Sequence, residues 1–277
     1  MVPERLDIMK LLITVRSVMK LLIYSDLHLE FGAEFCLPDK TDADLLILAG
    51  DIITFGDYAP LGRFLQNWNK KPVLFIAGNH EYYTQKPMSD EEAAFNEWLK
   101  TNHSNVHFLR DESISIDGVH FFGGTMWTHF NAGDLKAMET AHYQMNDFRL
   151  IKKSDGSPLL PSDTLQLHDH YVEKMVEWFK ADLSGPRIVI SHHAPVINPR
   201  TQYMGSPLMP AFNSLDMQDI IEKHQPDLWI YGHTHECDDQ TIGKTRIISN
   251  QLGYPNRRGG FECAGFDEDG KEVEVVE

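Results

Sequence analysis

Cysteine, positive charge and long apolar runs are all scarce in this chain of 277 residues. The three cysteines, Cys36, Cys237 and Cys263, are an odd number and have no C-x-x-C spacing. They therefore indicate neither a disulfide framework nor a thiolate metal site. So few cysteines fit a reducing compartment, and we predict a cytoplasmic location.

Basic residues are outnumbered, because 25 Lys and Arg stand against 41 Asp and Glu and give a net charge of -16. This balance argues against general attraction to nucleic acid or to anionic membranes. No apolar run approaches the roughly 20 residues of a membrane span, so we predict no membrane insertion. The oligomeric state cannot be read from the sequence.

The first residues are set apart by a partial repeat, since MKLLI occurs at 9–13 and again at 19–23. Acidic Glu4 and Asp7 make a poor secretion signal. We predict an N-terminal extension over residues 1–18 and a single domain over 19–277, a length that one large α/β domain can have. The alternative is that the extension adds an edge strand.

Five short apolar runs each stop at a cluster of Asp, Asn or His. The runs are KLLIY (20–24), LLILA (45–49), VLFIA (73–77), RIVI (187–190) and LWIY (228–231). They are rich in Ile, Leu and Val and are ended by Gly or Ser, which predicts buried strands. Helical patterns between the first of them indicate an α/β fold with parallel strands.

Other elements follow from periodicity and turn residues. We predict helices over 59–70, 90–100, 163–180 and 218–224, with Ser89 as the capping residue of the second. Strands over 113–116 and 119–122 would form a hairpin at Asp117-Gly118. The runs 245–249, 260–266 and 272–276 predict a second, antiparallel sheet, and the aromatic and polar stretch 123–161 predicts an insertion near the site.

The polar residues that follow the five runs are metal-binding types. They are Asp26, His28, Asp51, Asn79, His192, His233 and His235. The carboxyl ends of strands in such sheets open onto one crevice, so we expect these side chains to converge. The pairs with i, i+2 spacing would face the same side if their segments are extended.

Seven ligands are too many for one tetrahedral ion but suit two ions that share a carboxylate. Imidazole and oxygen ligands without thiolate favour two divalent transition metal ions, Mn, Fe, Zn, Co or Ni, with Mn favoured. Such a pair turns bound water into a hydroxide nucleophile against phosphorus. His80 is left to protonate the leaving oxygen or to stabilise the transition state.

The ordered motifs Asp26-x-His28, Gly50-Asp51, Gly78-Asn79-His80-Glu81, His192 and Gly232-His233-x-His235 resemble those of the calcineurin-like metallophosphoesterase superfamily, over roughly residues 19–250. The resemblance implies a four-layer αββα sandwich of two mixed sheets flanked by helices. It also implies His80 as the catalytic histidine and Asp51 as the bridging ligand. One metal would be held by Asp26, His28, Asp51 and His235, and the other by Asp51, Asn79, His192 and His233.

The predicted function is metal-dependent hydrolysis of phosphomonoesters or phosphodiesters of a small molecule or nucleotide, through a metal-bridging hydroxide. A DNA nuclease of the same superfamily is the first alternative, and the acidic balance weakens it. A non-catalytic metal-binding scaffold is the second alternative. His80 and the complete set of seven ligands argue against that scaffold.

Several further residues have a structural as well as a functional interpretation. His193 could touch substrate, although the resemblance assigns the ligand role to His192. His168 and His170 diverge on a helix and favour a solvated face. Cys237 is expected to be a buried or partly exposed thiol. The remaining candidates are Trp127, Tyr143 and Phe148, which would pack the insertion, Arg149, which could pair with a phosphate or with Asp147, and Arg257-Arg258, which favour a solvated turn.

Overall fold

The computed structural model describes residues 18–32, 35–38, 40–68, 70–257 and 259–276. The predicted extension at 1–18 therefore lies outside the described residues except for Val18, which begins the first strand. The domain boundary at this point stays a prediction. Within the described ranges, none of the helices combines the length and apolar character that crossing a membrane requires.

Eleven strands and eight α-helices are found in the described residues. The strands are β1 (Val18–Tyr24), β2 (Leu45–Ala49), β3 (Val73–Ile76), β4 (Val106–Leu109), β5 (Glu112–Ile116), β6 (Val119–Gly124), β7 (Arg187–Ser191), β8 (Leu228–Ile230), β9 (Asp238–Ile242), β10 (Thr245–Ser249) and β11 (Lys271–Val276). The helices are α1 (Ala59–Phe64), α2 (Met88–Asn102), α3 (Phe130–Gly133), α4 (Leu135–Gln144), α5 (Asp147–Leu150), α6 (Pro161–Phe179), α7 (Met209–Phe212) and α8 (Met217–His224).

The strands form two mixed sheets. The first has the order β11-β1-β2-β3-β4, in which β1 to β4 are parallel and β11 is antiparallel to β1. The second has the order β5-β6-β7-β8-β10-β9, in which β6, β7, β8 and β10 are parallel and the edge strands β5 and β9 are antiparallel. The five apolar runs are thus all strands, as predicted.

Alternate residues of each central strand face different layers. Leu21 and Ile23 of β1 lie in the core between the sheets, with Ile188 of β7. Leu22 of β1 instead packs in the outer core with Phe95 of α2. Both faces of the strands are covered, so the runs are apolar throughout rather than alternating. Burying each such side chain contributes about 1.5 to 3 kcal/mol.

A third core lies outside the second sheet, where Val189 and Trp229 pack against Tyr171 and Met175 of α6 and Ile221 of α8. The resulting layers, helices, sheet, sheet, helices, confirm the predicted αββα sandwich of two mixed sheets. The hairpin at Asp117-Gly118 also forms as expected, between β5 and β6.

Several boundaries and pairings differ from the predictions. The helix expected over 59–70 ends at Phe64, followed by a 3-10 turn at Leu65–Asn67. Ser89 lies inside α2, and Pro87 is the cap position. The strand predicted over 260–266 is wrong, because only Phe261 makes an isolated bridge there. The strand near 272–276 forms, but as β11 it joins the first sheet. The stretch 123–161 contains α3, α4 and α5.

Candidate metal centre

The loops after β1, β2, β3, β7 and β8 meet at one edge of the sandwich, and they bring all seven predicted ligands together. Two groups form there, Asp26 with His28, Asp51 and His235, and Asp51 with His192 and His233. The ligand atoms of each group lie within 4.8 Å of one another, and all these residues except His235 are buried. Asp51 belongs to both groups.

In the first group, two imidazole nitrogens face each other. His28 Nε2 is 3.2 Å from His235 Nε2, which is 3.5 Å from Asp26 Oδ1. His28 Nδ1 lies 3.0 Å from Glu30 Oε1, and His235 Nδ1 contacts Glu262 Oε2. When each Nδ1 carries the proton for its carboxylate, both Nε2 lone pairs point at the same space. That space suits a cation, and the flanking carboxylates would fix the rings.

In the second group, Asn79 joins the ionisable residues. Its Oδ1 is 3.1 Å from both His192 Nε2 and His233 Nδ1, and His192 Nε2 is 3.3 Å from Asp51 Oδ1. His192 Nδ1 lies 3.0 Å from the carbonyl oxygen of Ala49, to which it can donate. The Nε2 atom then faces two acceptor oxygens, which again is an arrangement that a cation would satisfy.

The electrostatics of the second group depend on Asp51. Burial alone would lower the pKa of His192, but Asp51 and Asp26 together raise it to about 10. Burial opposes ionisation of Asp51, yet His192, His80 and His28 hold its pKa well below the usual range. The carboxylate is therefore ionised at neutral pH. Both groups of donors fit a divalent metal with imidazole and oxygen ligands.

Asn79 is oriented by Asp147 and Tyr83, neither of which is among the predicted site residues. Its Nδ2 donates to Asp147 Oδ1 at 2.9 Å and lies 2.9 Å from the hydroxyl oxygen of Tyr83. Tyr83 in turn donates its hydroxyl to Asp147. Burial raises the pKa of Asp147, while Tyr83 and Asn79 oppose that rise. The sequence suggests Asp147 only as a partner for Arg149.

Glu81 holds two of the loops together. Its carboxylate accepts hydrogen bonds from the backbone N–H groups of Asp51, Ile52, Ile53 and Gly78, at 2.8 to 3.2 Å. Burial and the nearby Asp51 raise the pKa of Glu81 to about 8, and the N–H donors favour its ionised form against that rise. Its role is to fix the loops after β2 and β3.

The prediction that the i, i+2 pairs face the same side assumed extended segments. This assumption is wrong, because the backbone of the loops that carry the candidate ligands is not extended. Positive φ angles occur at Asp26 (54°), His28 (45°), Asp51 (54°), His233 (75°) and His235 (52°). Left-handed geometry is uncommon for residues other than glycine and clusters at functional sites. Tight turns, rather than strand alternation, aim these side chains at a common centre.

Glycines allow the loops to approach each other. A Cβ on Gly78 would lie 2.2 Å from Asp51 Oδ1 and 2.6 Å from His192 Nε2. A Cβ on Gly50, which has φ of +87°, would lie 2.4 Å from His192 Nδ1. Only glycine leaves room at these two positions.

His80 lies at the rim of the first group. Its Nδ1 is 3.0 Å from Glu30 Oε1, and its Nε2 is 2.6 Å from the hydroxyl oxygen of Tyr254. Burial would lower the pKa of His80, but Asp51 and Glu30 raise it. A raised pKa suits proton donation near neutral pH. Glu30, which is not among the predicted site residues, contacts both His28 and His80 through one oxygen, and these three residues form a third group of potential metal ligands.

The other histidines have structural surroundings. His193 is buried, and its Nδ1 lies 3.3 Å from the carbonyl oxygen of Thr125. The solvated face predicted for His168 is wrong, because the ring is buried with Nε2 3.1 Å from Asp216 Oδ2. His170 is exposed, as predicted.

The aromatic and basic candidates divide between core and surface. Trp127 and Phe148 are buried, whereas Tyr143 is exposed and does not pack the insertion. Arg149 is exposed and donates to Asn146 instead of pairing with Asp147. Arg257 is exposed, and Arg258 lies outside the described residues.

A cleft of about 260 Å³ opens beside the two groups. It is lined by Asp51, Asn79, His233, His235 and Tyr254 on the side of the groups, and by Tyr83, Met145, Asn146, Asp147, Asn198, Thr201, Tyr203, Met209, Phe212, Asn213, Thr234, Glu236 and Glu262 on the others. No Lys or Arg is among these lining residues in the described part of the chain.

Relatives were found among curated proteins. An uncharacterised protein of Acanthamoeba polyphaga mimivirus is 28% identical over 272 residues, which cover 88% of this chain and 94% of that protein. A UPF0046 protein of Caenorhabditis elegans is 24% identical over 204 residues, which cover 70% of this chain and 57% of that protein.

Among solved structures, the phosphopantetheinyl hydrolase of Mycobacterium tuberculosis superposes with a TM-score of 0.64. The identity is 16%, and the match covers 85% of this chain and 89% of that one, so the similarity concerns the fold. The sequence profile described as calcineurin-like phosphoesterase matches residues 19–237, which is more than half of the chain. The protein therefore belongs to the calcineurin-like phosphoesterase family.

Proposed function

We propose that this protein is a hydrolase that uses two divalent transition metal ions, with Mn favoured, to cleave phosphomonoesters or phosphodiesters of a small molecule or nucleotide. The observation that carries the proposal is the position of Asp51 between the two groups of donors. Its Oδ1 lies 3.3 Å from His192 Nε2, and its Oδ2 lies 3.8 Å from His28 Nε2. One carboxylate can thus serve two ions.

Two divalent ions, when bound, supply Lewis acidity that polarises a phosphate ester and activates water near neutral pH. Asp26, His28, Asp51 and His235 would hold one ion, and Asp51, Asn79, His192 and His233 the other. His80 would donate a proton from Nε2 to the leaving oxygen, with Glu30 holding its Nδ1–H. Tyr254 would have to release Nε2 for this step.

The cleft supports a small substrate rather than a polyanion. It is lined in part by Asn146, Asn198 and Asn213, and no Lys or Arg is among its described lining residues. Nucleic-acid binding relies mainly on Lys and Arg contacts to phosphates. The charge of a single phosphate would be matched by the metal ions instead. The small number of cysteines supports our proposal of a cytoplasmic location.

The test is hydrolysis of p-nitrophenyl phosphate and bis-p-nitrophenyl phosphate by protein stripped of metal and then reloaded with Mn²⁺. We expect turnover only after reloading, and loss of turnover in Asp51→Asn but not in Asp182→Asn, an exposed aspartate outside the site. If metal-loaded protein cleaves neither ester, the non-catalytic scaffold is favoured. If it cleaves DNA instead, the nuclease is favoured.

A further inference from the structure

Cys237 and Cys263 are in sulfur contact beside the candidate metal centre. Their Sγ atoms are 3.3 Å apart, although 26 residues separate them in the sequence. Both side chains are partly buried, whereas the third cysteine, Cys36, is exposed. A disulfide has an S–S distance near 2.05 Å, so bonding requires an approach of roughly 1 Å. The pairing was not visible in the sequence because only the fold brings the two segments together.

A thiolate metal site explains this pair less well than a redox role does. No group of three or more potential metal ligands in the described part of the chain includes either cysteine. The sulfur of Cys237 instead accepts from the backbone N–H of Gln251 at 3.4 Å and lies 3.9 Å from Asn250 Oδ1. Two thiols in contact, without a third potential metal ligand, favour disulfide formation over metal binding.

Both cysteines adjoin the groups that orient His235. Cys263 directly follows Glu262, whose carboxylate contacts His235 Nδ1. Cys237 lies two residues after His235, and Gln251, which donates to the Cys237 sulfur, accepts from the backbone N–H of His235 at 2.6 Å. A change in the distance between the two sulfurs would therefore shift Glu262 and Gln251, two residues that contact His235.

We propose that Cys237 and Cys263 form a reversible redox pair, which a hydroperoxide converts to a disulfide. One thiolate attacks the terminal oxygen of the hydroperoxide, so that the O–O bond breaks and an S–O bond forms, and the other oxygen takes up a proton and leaves as water or alcohol. The second thiol attacks the sulfenic sulfur, so that the S–S bond forms, the S–O bond breaks and water leaves. The two sulfurs lose two electrons to the peroxide, and a thiol reductant reverses the reaction by exchange.

Oxidation also weakens metal binding at His235, a consequence that rests on the proposed function. Closing the disulfide draws Cys263 toward Cys237 and moves the adjoining Glu262 relative to His235. Loss of such a supporting contact typically lowers metal affinity about 10- to 100-fold. We expect a decrease near the lower end of this range, because the ligand itself remains.

The modification is tested on the full-length, metal-free protein. Hydrogen peroxide treatment, alkylation and peptide mass spectrometry without reduction should show a fall from three alkylatable thiols to one and a peptide linking Cys237 to Cys263. Cys36→Ser should still lose two thiols, whereas Cys237→Ser and Cys263→Ser should form no internal link. Three remaining thiols, or a link through Cys36, would overturn the proposal. This readout needs no metal or substrate and is independent of the proposed function.

The link to His235 is tested by titration calorimetry with Mn²⁺ on the reduced and the oxidised protein. We expect about 10-fold weaker binding after oxidation, recovery with a phosphine reductant, and no peroxide effect in Cys263→Ser. Equal affinities in the two states would overturn the link. If the reduced protein binds no Mn²⁺, the proposed function fails, while the thiol result stands by itself.

Discussion

Asn79 donates its side-chain amide to Asp147 at 2.9 Å, across 68 residues of sequence. This contact decides which end of the amide faces His192 and His233, because the nitrogen is held away from them and Oδ1 lies 3.1 Å from each. Asn79 therefore faces the two histidines with its amide oxygen, which can bind a metal ion, and not with its NH₂ group, which cannot. The neutral candidate ligand of the second group, Asn79, therefore depends on Asp147, a carboxylate that is not among the candidate ligands.

Replacing Asp147 should expose this dependence. In Asp147→Ala the amide of Asn79 is free to rotate, so we expect Mn²⁺ affinity to fall about 10- to 100-fold, as is typical when a ligand loses its supporting partner. Titration calorimetry measures the change. Asp182→Ala, at an exposed position, is the control. An unchanged affinity in Asp147→Ala would show that Asn79 needs no such support.

The role of His80 in catalysis can be measured separately from metal binding. We expect His80→Ala to keep its metal content and to lose a factor of about 10² to 10⁴ in kcat, the usual contribution of general acid–base catalysis. Metal analysis and steady-state kinetics on the same preparation give both numbers. His170→Ala, at an exposed position of α6, should match the wild type. Loss of metal from His80→Ala would instead make His80 a ligand.

The seven candidate ligands could be found from sequence because each lies directly after a short apolar run that forms a strand. The residues that support them could not, because they come from distant segments. Asp147 supports Asn79 from the stretch 123–161, and Glu262 supports His235 from the run 260–266, which does not form the predicted strand. Glu30, Glu81 and Tyr83 are exceptions, because they lie within four residues of His28 or Asn79.

The sequence pattern likewise could not predict which sheet each strand joins. The alternation in β11 correctly indicates a strand, but it does not say which edge the strand joins, and β11 pairs with β1 at the opposite end of the chain. The strand β9 was missed because its sequence, DDQTI, is mostly polar. An edge strand with one solvated face needs few apolar residues.

Glu30 should affect both catalysis and metal binding. One of its oxygens lies 3.0 Å from His28 Nδ1 and 3.0 Å from His80 Nδ1. Glu30→Ala removes both contacts, so we expect kcat and Mn²⁺ affinity to fall together, each about 10-fold or more. Glu30→Gln keeps one acceptor oxygen and should restore part of both. Equal losses in the two variants would mean that the charge, and not the acceptor, matters.

Glu81 should affect stability more than chemistry. Glu81→Gln replaces one carboxylate oxygen by an NH₂ group, which faces backbone N–H donors and leaves them unpaired. We expect the free energy of unfolding to fall by about 2 to 4 kcal/mol. Urea unfolding of the metal-free protein measures it. Glu97→Gln, on the exposed face of α2, should change it by no more than about 0.5 kcal/mol.

Asp111, which is not among the candidate ligands, should make the stability of the protein depend on pH. Burial, together with Glu92 and Glu112, raises its pKa to about 7, while Lys174 and Arg110 oppose the rise. The folded state thus holds a proton that the unfolded chain releases near pH 4, so Asp111 lowers stability as the pH rises from about 4 to about 7.

Asp111→Asn cannot ionise, so its stability relative to the wild type should increase between pH 5 and pH 8. We expect the difference in unfolding free energy to widen by about 1 to 2 kcal/mol, which is less than the full pKa shift would give because the side chain is partly exposed. Urea unfolding at both pH values measures this difference. Asp169→Asn, at an exposed position of α6, is the control. A constant difference for Asp111→Asn would mean that Asp111 is already ionised in the folded protein at pH 5.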